Sequence, residues 1–344
     1  MSKKENSEFM NVLGDYFVTY LPFSKGLSPN TIKSYKQCFI LLLNFMFNQK
    51  EISADKLVFS DLDYETLLDF FNWLESERKC KPITRNQRLS AIFAFSEYAQ
   101  NRNFDAASVF RTNINKIPLK KGSVKTRTFF TREEIGILLV HPDERTETGL
   151  RDKVLLSIMY ASGARAQEMC DLIVRNIQFH DNVSTLILSG KGNKTRRIGL
   201  PNSCVIMLKK YIYHRHIGDA YSRHVFSSQT HEQMTVSCIE GIFKKYVSLA
   251  KERRPELFPF DNYSPHSMRH STASHLLEAG VDIVTIKNIL GHVSLQTTQI
   301  YTELSQETVN KRLREWNDSW FGEGIVTKDS YNEKKDSIPE FLKK

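Results

Sequence analysis

The sequence lacks a paired cysteine motif. Its five cysteines, Cys38, Cys80, Cys170, Cys204 and Cys238, are scattered, and no two form a Cys-x-x-Cys pair. An odd, dispersed set excludes a disulfide framework or a zinc knuckle and reads as reduced thiols in a reducing compartment. It also lacks an apolar run of membrane length: the most apolar stretch, Cys38 to Phe47, is about half of what a bilayer needs and is interrupted by Asn44. Residues Met1 to Met10 are polar, with no apolar stretch behind their lysines, so no secretory signal is visible. There is no internal repeat and no low-complexity segment. These absences predict a soluble protein of the cytoplasm.

Positive charge is what the chain has in excess. Lys and Arg number 48 against 39 Asp and Glu, a formal net charge of +9. Such an excess favours a polyanionic partner through charge neutralisation and counterion release, although a merely basic soluble protein has the same bulk signature. Hydrophobic residues make up 40% and charged residues 25% of 344, ordinary globular composition with length for two domains.

Three helical stretches are expected in the first third. Ser28-Pro29-Asn30 is a start signal, Ser capping free N–H groups and Pro fitting the first helical position. Ile32, Tyr35, Phe39, Leu42 and Met46 then recur at helical spacing, with Lys33 and Lys36 off that stripe. Further helices are predicted over Asp63 to Arg78 and Thr84 to Asn101, the latter carrying Arg85 and Arg88 near its start. From Thr112 to Thr128 the periodicity fails and the charges, Lys120, Lys121, Lys125 and Arg127 among them, are all positive, which reads as a basic linker. Thr131 and Glu134 form a capping box that opens a second domain. The division expected is 1–111 helical, 112–127 linker, 128–321 second domain and 322–344 tail.

In the second domain, Arg151 to Ser162 reads as a buried helix broken at Gly163, and Ala166 to Leu172 as its resumption. Val183 to Leu188 and Arg196 to Leu200 flank a Gly-rich turn as an antiparallel pair. Helices are predicted again over Ser203 to His214, Ser237 to Lys251, His266 to Ala279 and Val284 to Leu290. The fold class is therefore mainly α with a small antiparallel β-sheet in the second domain.

Four segments carry chemistry. Arg165 and Glu168 stand one helical turn apart just past the Gly163 break. The turn Gly190-Lys191-Gly192-Asn193-Lys194 fails as a nucleotide-binding P-loop, because the earlier Gly is missing and Gly192 replaces the Ser or Thr after the Lys. A hairpin tip with lysines suits a DNA groove better. His266 and Arg269, one turn apart, can converge on one anion. His266 and His270 have the spacing of a zinc-hydrolase helix, but Ser267 stands where that motif needs Glu, so no metal is expected. Finally Gly291-His292 follows a helix end and Tyr301 comes nine residues after His292.

In the order Arg…Lys…His-x-x-Arg…Gly-His…Tyr, these segments resemble the tyrosine site-specific recombinases of the phage-integrase family, from about Ser28 to Leu304. The loosest match is Met169, where the family usually has Leu. The resemblance implies an N-terminal helical core-binding (SAM-like) bundle at 1–111 and a C-terminal catalytic domain at 128–321, closing on double-stranded DNA as a clamp. It implies a catalytic set of Arg165, Lys191, His266, Arg269, His292 and the nucleophile Tyr301, supported by Glu168. No cofactor or metal is needed. Lys33, Lys36, Arg85, Arg88 and Lys194 are the expected DNA contacts. Self-assembly into a tetramer on two DNA sites is implied, with Ile338, Phe341 and Leu342 of the tail as an anchor on a neighbouring protomer. The length before Ser28 is too short for the added arm-binding domain of the larger phage integrases; a two-domain enzyme of a transposon, insertion element or simple phage is the first expectation, and a chromosome-dimer resolving recombinase the second. A type IB topoisomerase-like relaxing enzyme shares the residue set, and a catalytically silent DNA-binding protein would share the fold.

Overall fold

The computed structural model describes residues 7–122, 128–190 and 194–291. The chain divides into two compact units, Met1–Lys125 and Thr126–Lys344. Among the described residues no helix is long and apolar enough to cross a membrane.

The first unit packs helices α1 (Glu8–Asp15), α2 (Pro29–Lys50), α3 (Tyr64–Ser76), α4 (Pro82–Arg102) and α5 (Phe104–Lys116). Ser28 caps α2 by accepting from Thr31 N–H, as its start signal requires, and Asp63 caps α3 by accepting from Thr66 N–H. Its core is aromatic. Phe95 of α4 meets Phe9, Tyr16 and Phe39 edge-on, with ring centroids 5.0–5.5 Å apart, an arrangement that places ring edges against negative ring faces. Phe9, Leu13 and Tyr16 sit at helical spacing on a helix that lies before the first one expected from the sequence. It continues as a wide π-helical stretch over Tyr16–Ser24 that contains Pro22. A wider turn accommodates a proline that would break a regular α-helix. Helix α5 also runs through Lys116, so the irregular basic stretch begins only after it, not at Thr112.

The second unit contains α6 (Arg132–Val140), α7 (Glu147–Ser162), α8 (Ala166–Cys170), α9 (Asn202–His214), α10 (Val236–Arg253), α11 (Pro265–Glu278) and α12 (Ile283–Leu290). Its sheet is antiparallel in the order β1 (Ile177–Gln178), β2 (Thr185–Ser189), β3 (Thr195–Gly199). Leu186 pairs with Ile198, and Leu186, Leu188 and Ile198 point into the core on alternate positions. Thr131 and Glu134 form the expected capping box of α6, but Glu134 does more than cap. It is buried and also accepts from Phe258 N–H at 2.6 Å.

Helix α7 is buried on nearly all sides, including Val154, Leu155, Leu156, Ile158 and Met159, so it forms the axis of this unit. Helix α11 is fixed against it by polar contacts. Thr272 Oγ1 donates to the Tyr160 carbonyl at 2.8 Å, while Ser271 Oγ accepts from Phe130 N–H at 2.6 Å. Gly163 ends α7 in the left-handed conformation at φ +59°, and a Cβ there would overlap the side chain of Leu290. Gly163→Ala should therefore destabilise this unit by about 1–3 kcal/mol through backbone strain and overpacking, read as a lowered urea midpoint with an unchanged slope. An unchanged midpoint would show that the Gly163–Leu290 approach is not a constraint.

Candidate active site

Past Gly163 the chain is extended at Arg165 (φ −76°, ψ 151°), which precedes α8. This conformation turns the Arg165 side chain back over the first turn of α8. Glu168 accepts from Arg165 N–H and from Arg165 Nη1, both at 2.8 Å. The paired spacing read from the sequence is thus a real contact. Glu168 is far more buried than a surface partner, with a side chain 3% exposed against 38% for Arg165.

Sequence reasoning missed the third member of this cluster. Arg196 of β3 places Nη1 and Nη2 on the two oxygens of Glu168, each at 2.7 Å, and Nε on the Ile289 carbonyl at 2.8 Å. The signal was present. Arg196 shares its strand face with the buried residue Ile198, and a cation on a core-facing strand position requires a buried acceptor. Burial alone would raise the Glu168 pKa, but the hydrogen bonds and charge of Arg196, followed by those of Arg165, outweigh it and hold the carboxyl below its usual range.

Arg269 lies on α11, which Ser264 caps and Pro265 opens. Its guanidinium is 2% exposed and donates from Nη1 to the Gly163 carbonyl at 2.6 Å and from Nη2 to the Leu290 carbonyl. His266, one turn earlier, shares with Arg165 and Arg269 the lining of a cavity of about 240 Å³ that also involves Ala166, Glu240, Ser264 and Pro265. Burial, then the charges of Arg269 and Arg165, pushes the His266 pKa below its ordinary value. A larger cavity of about 530 Å³ at the start of α7 shares no residue with it, and its Arg151 and Arg215 are already committed to the backbone carbonyls of Ser227, His224 and Val225.

Three members of the expected set, Arg165, His266 and Arg269, therefore face one concavity. Lys191, His292 and Tyr301 lie outside the described residues, as do the tail residues Ile338, Phe341 and Leu342. The residues that flank two of them are described. A Cβ on Gly190, which precedes Lys191, would lie 3.3 Å from Glu168 Oε1 and 3.6 Å from Arg165 Nη1, and Gly190 N–H donates to the Lys194 carbonyl at 2.8 Å. Gly291, which precedes His292, caps α12 at φ +65° with its carbonyl 3.5 Å from Arg165 Nη2. Lys194 is exposed. His275 is buried and hydrogen-bonded to Tyr160 Oη at 2.9 Å, and among the described residues no cluster of three side chains has the makings of a metal site.

In the first unit Lys33 and Lys36 are exposed on α2. Arg88 is half-buried, donates to Cys80 Sγ, and shares a groove of about 350 Å³ with Lys33, Gln37 and Gln87. Arg85 corrects the expectation of a DNA contact. It is 1% exposed, lies over the Phe71 ring at 4.8 Å and donates to the Pro118 carbonyl at 2.8 Å. With Glu75 3.8 Å away, it ties the end of α5 to α3 and has no surface to offer a phosphate.

Residues 128–308 match the phage integrase family, and residues 8–115 match the phage integrase SAM-like domain. The putative integrase/recombinase y4rC of Sinorhizobium fredii is 30% identical over 292 residues, covering 85% of this chain and 86% of that protein. Tyrosine recombinase XerD of Vibrio cholerae is 28% identical over 303 residues, covering 87% and 94%. Two solved structures share the fold. XerH site-specific recombinase bound to its difH substrate gives a TM-score of 0.63 at 20% identity, over 83% of this chain and 79% of that one. The Tn1549 transposon integrase in complex with circular intermediate DNA gives 0.65 at 17% identity, over 83% and 94%.

A helical SAM-like domain joined to a catalytic domain of this build defines the class of tyrosine recombinases. The chain belongs to the phage integrase family.

The lowered pKa of His266 has a direct consequence. Its ring should titrate below pH 6.5 in the DNA-free protein and be neutral at pH 7. Because the folded value lies below the unfolded one, this group's stability contribution is present above pH 6.5 and lost as pH falls. An NMR titration compared with His266→Gln reads it; a midpoint at or above 6.5 would contradict the burial and the two neighbouring cations.

Proposed function

We propose that the chain is a site-specific recombinase that cleaves and rejoins double-stranded DNA through a covalent 3′-phosphotyrosine at Tyr301. The observation that carries this reading is the convergence of Arg165, Arg269 and His266 on one cavity. A phosphodiester resists attack, and its pentavalent transition state gathers charge on the non-bridging oxygens. Guanidinium groups offer those oxygens planar, charge-assisted donors. Removing one such preorganised donor typically costs on the order of 10²–10³ in rate.

The phenol oxygen of Tyr301 attacks phosphorus as the bond to the 5′-oxygen breaks. The phenol proton passes to His266, whose lowered pKa leaves the ring neutral and able to accept it. Lys191 protonates the departing 5′-oxygen, and His292 donates to a non-bridging oxygen. Rejoining is the same step reversed with a new 5′-hydroxyl, so the phosphotyrosine conserves the bond energy and no ATP is required. Assembly of four protomers on two sites completes the proposal.

Two biological roles fit this reaction. Integration or excision of a mobile element is supported by the relative named integrase/recombinase. Resolution of chromosome dimers is supported by the relative named tyrosine recombinase XerD.

Covalent capture tests both levels. Wild type and Tyr301→Phe are expressed with native flanking DNA, denatured in detergent, and the protein-bound DNA is sequenced. Adducts are expected from wild type alone at defined positions, at element ends for the first role and at one chromosomal site for the second. Equal adducts from both proteins would remove Tyr301 as nucleophile, and none from either would favour a silent binding protein.

The surface assignments separate by salt. Lys33→Ala and Lys36→Ala should each weaken DNA binding and lower the slope of log K against log salt by about one. Arg85→Met should leave that slope unchanged and lower the melting temperature, since Arg85 is buried at 1% exposure. A slope change in Arg85→Met would return it to the DNA surface.

A further inference from the structure

We propose that Arg196 is a positioning residue: by occupying both oxygens of Glu168 it keeps that carboxylate from neutralising Arg165, whose guanidinium then meets the scissile phosphate. This rests on the phosphate-binding reading given above. Glu168 has a side chain only 3% exposed, and a carboxylate that deep must be paired. Two cations compete for it on unequal terms. Arg196, 10% exposed, takes the fork-on-fork geometry with both oxygens at 2.7 Å. Arg165, 38% exposed, is left with one side-chain contact at 2.8 Å. Bidentate pairing is the stronger arrangement and is directional, so the split directs the carboxylate toward the strand and leaves the outer face of Arg165 to the cavity.

Arg196 is also where three of the four chemistry-bearing segments meet. Its strand partner is Leu188 on β2, two residues before Gly190. Its Nε holds the Ile289 carbonyl at 2.8 Å, and a Cβ on Gly291 would lie 3.0 Å from its Cδ. Without Arg196, a buried carboxylate is left with one cation. The cheapest response is for Glu168 to rotate onto Arg165 as a bidentate partner, which cancels the charge of Arg165 and draws it out of the cavity. The loss is then one of charge competition, and removing the competing charge should reverse it. A lysine at this position keeps the charge but cannot grip two oxygens and a carbonyl in one plane.

The test is a charge-rescue cycle. Wild type, Arg196→Met, Arg196→Lys, Glu168→Gln and the double variant Arg196→Met/Glu168→Gln are compared on the DNA site found by adduct capture. Single-turnover cleavage at saturating enzyme, DNA affinity against salt and thermal melting are measured on each. Arg196→Met should slow cleavage on the order of 10²-fold and lower the salt slope by about one, as Arg165 is lost to the phosphate. The double variant should regain roughly 10-fold or more of the rate, by non-additive coupling of neighbours, and recover the slope. Arg196→Lys should fall between wild type and Arg196→Met.

A double variant as slow as Arg196→Met, or slower, overturns the inference, because removing the competing carboxylate charge would then not have freed Arg165; rescue of melting without rescue of the salt slope overturns it too. So does wild-type cleavage by Arg196→Met. If Arg196→Met does not fold, Arg196→Lys against Arg196→Lys/Glu168→Gln gives the same comparison. Absence of cleavage by wild type itself would sink the recombinase reading instead, and the salt slopes would still decide whether Arg196 governs the charge of Arg165.

Discussion

The second unit depends on one buried cation. Arg269 sends its two terminal nitrogens to the carbonyls of Gly163 and Leu290, at the ends of α7 and α12. Helix C-termini expose unsatisfied carbonyls and the negative end of the macrodipole, so a guanidinium there satisfies acceptors and charge together. Both helices end in left-handed glycines, Gly163 and Gly291, whose missing side chains permit this close approach. The consequence is positional. Arg165 follows Gly163 by two residues and Gly291 follows Leu290 directly, so the contact that closes two helices also brings the start of α8 beside the end of α12, with the Gly291 carbonyl 3.5 Å from Arg165 Nη2.

A second constraint is electrostatic. Arg165 and Arg269 line the cavity and Arg196 meets Arg165 at Glu168, and concentrated positive charge of this kind suits an anion while repelling itself. One buried carboxylate, Glu168, offsets it. The placement matters: it sits behind Arg165, on the strand side, where Arg196 holds it by both oxygens. The same cations explain the histidine. Burial and the charges of Arg269 and Arg165 push the His266 pKa down and so favour its neutral ring.

Most of the fold was legible because the sequence obeys local rules where the structure does. Ser28 and Thr131, read as caps, do cap helices, and Leu186 and Leu188 on one strand with Ile198 on the next mark the hairpin. What was not legible has physical causes. Helix α1 and its π-helical continuation carry Pro22, a residue that argues against helix unless the turn widens. Helix α5 is short and mixed in polarity, with Asn103 as a cap in place of a strong apolar stripe. At the site, the local pair Arg165–Glu168 could be read from spacing, whereas Arg196 reaches Glu168 across 28 residues. No local pattern announces a contact of that length; only the conflict between a cation and a core-facing strand position does.

The first unit shows the same ambiguity with the opposite outcome. Lys33, Lys36, Arg85 and Arg88 look equivalent as positive charges near helix starts, yet only the two lysines are exposed. The difference lies in which neighbours the helix face meets. Arg85 sits on the side of α4 that meets Phe71 and the Pro118 carbonyl, where a flat, weakly hydrated guanidinium packs on a ring and still donates hydrogen bonds. A lysine there would leave a strongly hydrated ammonium buried. Lys33 and Lys36 lie off the apolar stripe of α2, where a flexible, strongly hydrated ammonium keeps its water. The choice between arginine and lysine therefore carries information that net charge does not. In this chain Arg85 and Arg196 hold the protein to itself, Arg269 does so while also lining the cavity, and Lys33 and Lys36 stay exposed.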